Sequence, residues 1–106
     1  MDKKKALIQQ LKEFKRKLSR KLPIEKMILF GSRARGEFRA HSDVDLLIVS
    51  PEFKGVKSYK RPLSFYEEWH IDLPFEFICL TPEELKEKSQ QITIIREAVN
   101  EGIEIL

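Results

Sequence analysis

The stretch ILFGSRARGEFRAHSDVDLLIVS, residues 28–50, holds two apolar runs separated by a polar segment. The first run ends at Gly31 and Ser32, and the second begins with Asp43 and Asp45. Side chains two residues apart on a β-strand lie on the same face, so the two carboxylates are expected side by side. Like charges repel, and burying them without compensation costs several kcal/mol. The pattern therefore indicates that a cation binds between them.

Mg²⁺ suits such a pair, because it takes one or two protein carboxylates and fills its remaining positions with water and phosphate oxygens. Gly31 lets a ligand approach the backbone, and Ser32 adds a hydroxyl beside the outward amides of the turn. Arg33 and Arg35 are close enough in sequence for one of them to contact phosphate. Ser42 either caps the turn or contacts a metal-bound water. On the residues alone, a metal–phosphate site and a solvent-exposed aspartate pair are equally open.

This segment resembles the signature of the minimal nucleotidyltransferases, a small branch of the DNA polymerase beta superfamily. In both, a strand leads to Gly-Ser, ten residues follow, and an Asp-x-Asp precedes the next strand. Here these are Gly31-Ser32 and Asp43-Val44-Asp45. The flanks GSRARG and SDVDLL match as well, and the resemblance covers most of the chain. It implies a nucleotidyltransferase fold, with a mixed sheet, helices packed on it and a site at one open edge. It also implies transfer of a nucleoside monophosphate, AMP from ATP first among them, to a hydroxyl. Gly31 and Ser32 would bind the triphosphate, and Asp43 and Asp45 would bind Mg²⁺.

The same family uses a third carboxylate, usually aspartate, on a neighbouring strand. In this chain the matching position is Glu76, in the run FEFICLTPEEL. The resemblance implies that Glu76 binds the catalytic metal and helps to deprotonate the attacking hydroxyl. Glutamate is one methylene longer than the expected aspartate, which is a departure. Asp72 is the alternative, and a solvent-facing role for Glu76 applies if catalysis has been lost.

Family members are often encoded beside a helical HEPN protein as antitoxins, and some add AMP to a tyrosine of that partner. The resemblance therefore implies an NTP substrate, a HEPN-type protein partner and a protein hydroxyl as acceptor. A vestigial module that neutralises a partner by occlusion is one alternative. An enzyme that acts on RNA or DNA is another, favoured by Trp69 and by basic residues on the first helix. Those basic residues are Lys12, Lys15, Arg16 and Arg20.

Composition sets limits on the remaining possibilities. The chain has 106 residues, a net charge of +3 and one cysteine, Cys79. That predicts a single domain over residues 1–106, with no disulfide within the chain and no cysteine-rich metal site. No apolar run is long enough to span a bilayer, and the basic N-terminus lacks the pattern of a signal peptide, so a cytoplasmic location is expected. The edge segment IEIL makes a homo-oligomer possible.

The hydrophobic pattern predicts alternating helices and strands. Apolar residues at spacings of three and four indicate a first helix that Pro23 ends. They are Leu7, Leu11, Phe14, Leu18 and Leu22. Strands are expected at KMILF, VDLLIVS and LPFEFICL, with a last edge strand at IEIL. A helical turn in SRARGE that ends at Gly36 and helices at TPEELKEKSQ and ITIIREAVNEG complete an α/β or α+β two-layer domain.

Three further features of the sequence give local predictions. In the helix at TPEELKEKSQ, Thr81 and Glu84 have the spacing of a capping box. The aromatic residues of SFYEEWH, which are Phe65, Tyr66 and Trp69, either stack a base or pack a short helix on the sheet. His41 is interpreted as a turn residue close to the phosphates.

Overall fold

The computed structural model describes residues 3–36 and 42–106, so the prediction for His41 lies outside the described residues. Four helices and four strands follow one another along this part of the chain. They are α1 (Lys3–Leu18), β1 (Lys26–Phe30), α2 (Ser32–Arg35), β2 (Val44–Val49), β3 (Phe75–Leu80), α3 (Pro82–Gln91), α4 (Thr93–Glu101) and β4 (Ile103–Glu104). Short 3-10 segments lie in the connection from β2 to β3, at Pro51–Phe53, Ser58–Lys60 and Leu63–Glu68.

The strands form one mixed sheet in the order β3-β2-β1-β4. β1 pairs antiparallel with both β2 and β4, whereas β2 and β3 are parallel. A parallel pair needs a long crossover, which residues 51–74 supply. The predicted α+β class, a mixed sheet with packed helices, is confirmed, and the edge strand expected in IEIL is present as β4.

Alternate residues of the central strands point to opposite faces of this sheet. On the first face, which we call the α1 face, β1 contributes Met27 and Leu29, and α1 packs on them together with the crossover. On the second face, the α4 face, Ile28 and Phe30 pack against α4. Helical segments therefore lie on both faces, and the sheet separates two apolar clusters.

The first helix is shorter than its apolar stripe indicates. Leu7, Leu11, Phe14 and Leu18 are buried as predicted, but α1 ends at Leu18 and Leu22 is not helical. After Leu18 the chain tightens into turns closed by bonds three residues back, from Lys21 N–H to the Leu18 carbonyl at 2.9 Å among others. Pro23 disfavours helical angles at the residue before it, so the prediction that the helix includes Leu22 is wrong. Leu22 still packs against the α1-face cluster.

The capping box predicted for α3 is confirmed. Thr81 Oγ1 accepts from the Glu84 N–H at 3.1 Å, and Glu84 Oε1 accepts from the Thr81 N–H at 2.8 Å. The Arg61 guanidinium also donates to this carboxylate, at 2.6 and 3.1 Å, and that bond holds the pKa of Glu84 at about 2. Arg61 therefore ties the crossover to the start of α3.

Cys79 is buried as predicted, and burial raises the pKa of its thiol to about 12. It is therefore a packing residue and not a nucleophile at neutral pH. Across residues 3–36 and 42–106, no helix combines the length and the apolarity needed to cross a lipid bilayer.

Candidate active site

Gly31 stands where β1 gives way to α2, and its backbone decides the shape of the site. Its φ of 76° lies in the left-handed region, which side chains other than glycine adopt with strain. A Cβ at this position would also collide with the Asp45 carboxylate, Oδ2 foremost. The glycine that the sequence assigned to ligand approach thus also makes room for an acidic side chain on the next strand.

Parallel pairing places Asp45 and Glu76 next to each other. They are register partners on β2 and β3, so their side chains point to the same face, the α4 face. Neighbouring strands are about 4.8 Å apart, which brings the two carboxylates within reach of one bound ion. Asp43 comes one residue before β2 and is exposed. Asp72 is exposed and precedes β3 in a bend, without a register partner on β2 among the described pairs.

The acidic side chains of the site interact electrostatically. Burial raises the pKa of Asp45, and the negative charges of Glu76 and then Asp43 raise it further, whereas Arg35 opposes the shift. The carboxylates that the sequence placed in one site therefore lie close enough to perturb each other. Ionisation of Asp45 therefore destabilises the folded chain, and a bound cation or a proton would remove that destabilisation.

A cleft of about 260 Å³ opens beside Asp45 and Glu76, between the sheet and α4. Gly31 and Arg35 line its β1 side. Its apolar wall consists of Phe30, Ala34, Ile78, Ile94 and Ala98, and its far side of Glu97, Glu101 and Gly102. The cleft thus joins an apolar wall to an acidic rim, with one arginine beside the aspartate.

Sequence reasoning missed the contribution of α4 to this cleft. Glu97 and Glu101 stand four residues apart on one helix face, which is an unfavourable spacing for like charges. Both line the cleft and so add two carboxylates to the two already there. The repeated acid at this spacing, next to the buried Ile95 and Ala98, was the signal available in the sequence.

The remaining predicted phosphate ligands lie around α2 and outside the cleft lining. Ser32 is half-buried at the first position of α2. Arg33 is only 5% exposed, and its Nε donates to the Ser42 carbonyl at 2.9 Å. That bond fixes the residue before Asp43 to α2, so Arg33 positions the start of β2. Of the two arginines, Arg35 is the one on the cleft, and the phosphate contacts of Ser32, Arg33 and Ser42 stay predictions.

The acidic residues of the site fit a Mg²⁺ ion that the protein binds only in part. Within residues 3–36 and 42–106, no three histidine, cysteine, aspartate or glutamate side chains converge closely enough to form an all-protein metal cage. Asp45 and Glu76 are nevertheless adjacent carboxylates at the mouth of a cleft, and Mg²⁺ commonly binds one or two carboxylates together with substrate phosphates. The residues therefore fit an ion whose other ligands come from nucleotide and water.

The aromatic residues of the crossover do not line this cleft. Phe65 is fully buried, and Trp69 packs edge-on to Phe14 with ring centroids 5.0 Å apart. The Tyr66 ring lies 5.4 Å from that of Phe75. Of the two interpretations offered by the sequence, packing on the sheet is the one observed, and it occurs on the α1 face.

Comparisons with known proteins identify the family and the fold of the chain. A family model described as "Nucleotidyltransferase domain" matches residues 11–100. A protein of Methanocaldococcus jannaschii named "Putative protein adenylyltransferase" is 30% identical over 101 residues, which cover 93% of this chain and 98% of that protein. The crystal structure of a "putative nucleotidyltransferase" from Sulfolobus solfataricus superposes with a TM-score of 0.68 at 22% identity, over 95% of this chain and 80% of that chain. At that identity the structural likeness concerns the fold alone.

Proposed function

The chain belongs to the nucleotidyltransferase domain family and is an enzyme of nucleotidyl transfer, and from this premise we propose that it transfers AMP from ATP, with Mg²⁺, to a hydroxyl of a partner protein. The observation that carries this proposal is the register of Asp45 with Glu76 at the mouth of the cleft. Two carboxylates on adjacent strands, next to a glycine turn, match the needs of a metal-bound triphosphate.

Each group at the cleft has a role in this proposal. The backbone of Gly31 and Ser32 and the Arg35 guanidinium bind phosphate oxygens, since amides at a helix start and arginine both favour anions. Asp45 and Glu76 would hold Mg²⁺, with Asp43 beside them, and the bound ion would supply positive charge that stabilises the triphosphate and its leaving group. The apolar wall that includes Phe30 and Ile78 excludes water from one side of the nucleotide.

Glu76 is the proposed base, because it lies on the edge strand, where an acceptor can approach. Its carboxylate takes the proton of the acceptor hydroxyl. The hydroxyl oxygen then forms a bond to the α-phosphorus of ATP, while the bond from that phosphorus to the bridging oxygen of pyrophosphate breaks. The products are an AMP ester of the acceptor and pyrophosphate, and the proton leaves Glu76 to solvent.

Charge favours a protein over a nucleic acid as acceptor. The cleft carries Asp45, Glu76, Glu97 and Glu101 against Arg35, so its rim repels a polyanion. The basic residues of α1, which the sequence offered as a nucleic-acid surface, belong to the helix on the opposite face of the sheet. The relative in Methanocaldococcus jannaschii carries the name "Putative protein adenylyltransferase". A HEPN-type partner and an antitoxin role follow from the family resemblance and complete the proposal.

The test incubates the purified chain with Mg²⁺, α-labelled ATP and lysate of its native host. Wild type is run beside Asp45→Asn and beside Asp72→Asn, which is the matched control because Asp72 is exposed and unpaired with β2. We expect a labelled protein band with wild type and Asp72→Asn and none with Asp45→Asn. A labelled RNA would replace the protein acceptor by a nucleic acid. No label with any of the four NTPs would overturn the proposal in favour of a binding module that acts by occlusion.

A further inference from the structure

The outer edge of β3 offers backbone hydrogen-bonding groups directly beside the proposed base. β3 is a terminal strand of the sheet. The Val44 N–H donates to the Pro74 carbonyl at 2.8 Å, and the Ser50 N–H donates to the Leu80 carbonyl at 3.0 Å. Hydrogen bonding alternates along a parallel strand, so the even-numbered residues of β3 face β2. The N–H and C=O groups of Phe75, Phe77 and Cys79 therefore point away from the sheet.

Within residues 3–36 and 42–106, one outward carbonyl of this edge, that of Cys79, has a hydrogen-bond partner. The buried Arg61 side chain donates from Nη1 to the Cys79 carbonyl at 2.9 Å. No residue within 3–36 and 42–106 forms a hydrogen bond with the outward groups of Phe75 or Phe77. These are the residues on either side of Glu76. Proteins usually protect edge strands with charges, bulges or short length, as the two-residue β4 does on the other edge. Within the described residues, β3 runs six residues in unbroken register with β2, and Glu76 is the one charge that it carries.

Resting on the proposed function, we propose that the acceptor is an extended segment of a basic polypeptide that adds to this edge as a fifth strand. An added strand takes up the outward N–H and C=O groups of Phe75 and Phe77, which is the usual form of peptide recognition at a sheet edge. A peptide residue in register with Glu76 then presents its side chain on the α4 face. The side chain of that residue leaves the sheet beside Glu76, because Cβ atoms of paired residues are about 5 Å apart.

The two faces of the added strand meet different surroundings, and these define the peptide. On the α4 face it lies beside Glu76, at the edge of a cleft that also carries Asp45, Glu97 and Glu101, so basic side chains flank the hydroxyl residue. On the α1 face it meets the rings of Phe75 and Tyr66, and Tyr66 is 47% exposed. The residues between the basic ones are therefore apolar. The segment alternates basic and apolar residues around one hydroxyl.

A synthetic peptide of sequence Lys-Val-Lys-Val-Tyr-Val-Lys-Val-Lys is the probe. Binding is measured without nucleotide, by amide hydrogen exchange followed by NMR on the full chain. We expect exchange at the Phe75 and Phe77 amides to slow at least about tenfold at saturating peptide, as formation of strand hydrogen bonds requires. The Glu104 amide, which points outward on the opposite edge, is the internal control and should not change. Transfer of AMP to the peptide tyrosine is then followed by mass with ATP and Mg²⁺.

Two matched sets sharpen the test. Peptides N-methylated at all odd or at all even residues should differ, and only one set should lose binding, because alternate amides of a strand face its partner. The double variant Glu97→Gln, Glu101→Gln should weaken binding about fivefold or more at low salt, whereas Glu104→Gln should not change it. Equal loss from both methylated sets, or equal protection at Glu104, overturns the edge-strand mode.

The outcomes separate this inference from the proposed function. Tyrosine labelling without protection of Phe75 and Phe77 overturns the inference and leaves nucleotidyl transfer to a protein in place. Protection without labelling supports the edge as a peptide site and counts against transfer to this acceptor class. Protection that rises with protein concentration in the absence of peptide shows a second copy of the chain on the edge, and overturns the inference.

Discussion

The two faces of the sheet are built from the same strands but differ in what covers them. On the α1 face a cluster of aromatic rings closes the packing, with Phe75 and Phe77 stacked at 4.6 Å between centroids. On the α4 face, apolar contact stops at Phe30 and Ile78, and carboxylates follow at the cleft. Because successive side chains alternate between faces, one strand can supply packing on one side and chemistry on the other. Aromatic packing is therefore concentrated on the α1 face, and the acidic residues of the cleft lie on the α4 face.

The largest expected effect is on activity, at Asp45. Asp45→Asn should lower nucleotidyl transfer at least about a hundredfold, the usual scale for losing one group that stabilises transition-state charge. The metal-free variant should unfold at the same temperature as wild type or higher, because burial and two like charges disfavour ionised Asp45. Thermal unfolding with and without Mg²⁺ checks this, and Mg²⁺ should stabilise wild type only.

The sign of this effect depends on pH. Raising the folded-state pKa of Asp45 above its ordinary value of 3.8 means that ionisation destabilises the folded chain. The cost is absent at low pH, appears as the pH rises through that range, and is complete above the folded-state pKa. The gain from Asp45→Asn should therefore be seen at neutral pH and vanish in acid. A variant that is less stable than wild type at neutral pH without metal would contradict the electrostatic account.

The second effect is on stability and belongs to the α1 face. Phe65→Ala, at a fully buried ring, should destabilise the chain by about 3–5 kcal/mol in denaturant unfolding. Ile94→Ala on the α4 face, where Ile94 is 51% exposed, should change stability by no more than about 0.5 kcal/mol. Equal losses at the two positions would show that the α4 face is packed as tightly as the α1 face.

The third effect distinguishes two glycines with positive φ. Gly31 and Gly55 have φ of 76° and 79°, so alanine at either position should be strained. Gly31 combines this φ with a ψ of −158°, a region that is essentially restricted to glycine, so alanine there should cost about 1–3 kcal/mol. A Cβ at Gly55 meets open space, whereas one at Gly31 meets the Asp45 carboxylate. Gly31→Ala should therefore also lower transfer, and Gly55→Ala should leave transfer unchanged. Stability and rate measured on both variants test this, and matched rates would remove Gly31 from the site.

The smallest expected effect lies at the link between the crossover and α3. The Arg61 hydrogen bond holds the pKa of Glu84 at about 2, below its ordinary 4.5, so ionised Glu84 stabilises the fold above that ordinary value. The contribution is lost as the pH falls from 4.5 towards 2. Glu84→Gln should be less stable at pH 7 by about 1 kcal/mol, since solvent screens the pair. The difference in stability between wild type and Glu84→Gln should disappear in acid. Glu87→Gln, at an exposed position, is the control and should show no such difference.

Most of the elements follow from local sequence patterns. Short apolar runs predicted β1 and β2, alternation predicted β3 and β4, and spacings of three and four predicted α1. Local chemistry determined the ends, as with the capping box of Thr81 and Glu84 and the turn at Gly36. Leu22 was misassigned because a periodic stripe continues into a turn that buries the same side. The motif at Gly31, Asp43 and Asp45 indicated the site because two like charges on one face of a strand repel each other unless a cation lies between them.

The surroundings of that motif depend on contacts between distant parts of the chain. The sequence named Glu76 by resemblance, but parallel pairing, a contact between strands 31 residues apart in register, is what placed it beside Asp45. The packing of α4 on the sheet also brought Glu97 and Glu101 to the cleft. The strand order made β3 a terminal strand. Such contacts depend on strand order and on which face each helix covers. Local residue patterns do not contain that information, because the same strand pattern is compatible with several sheet orders.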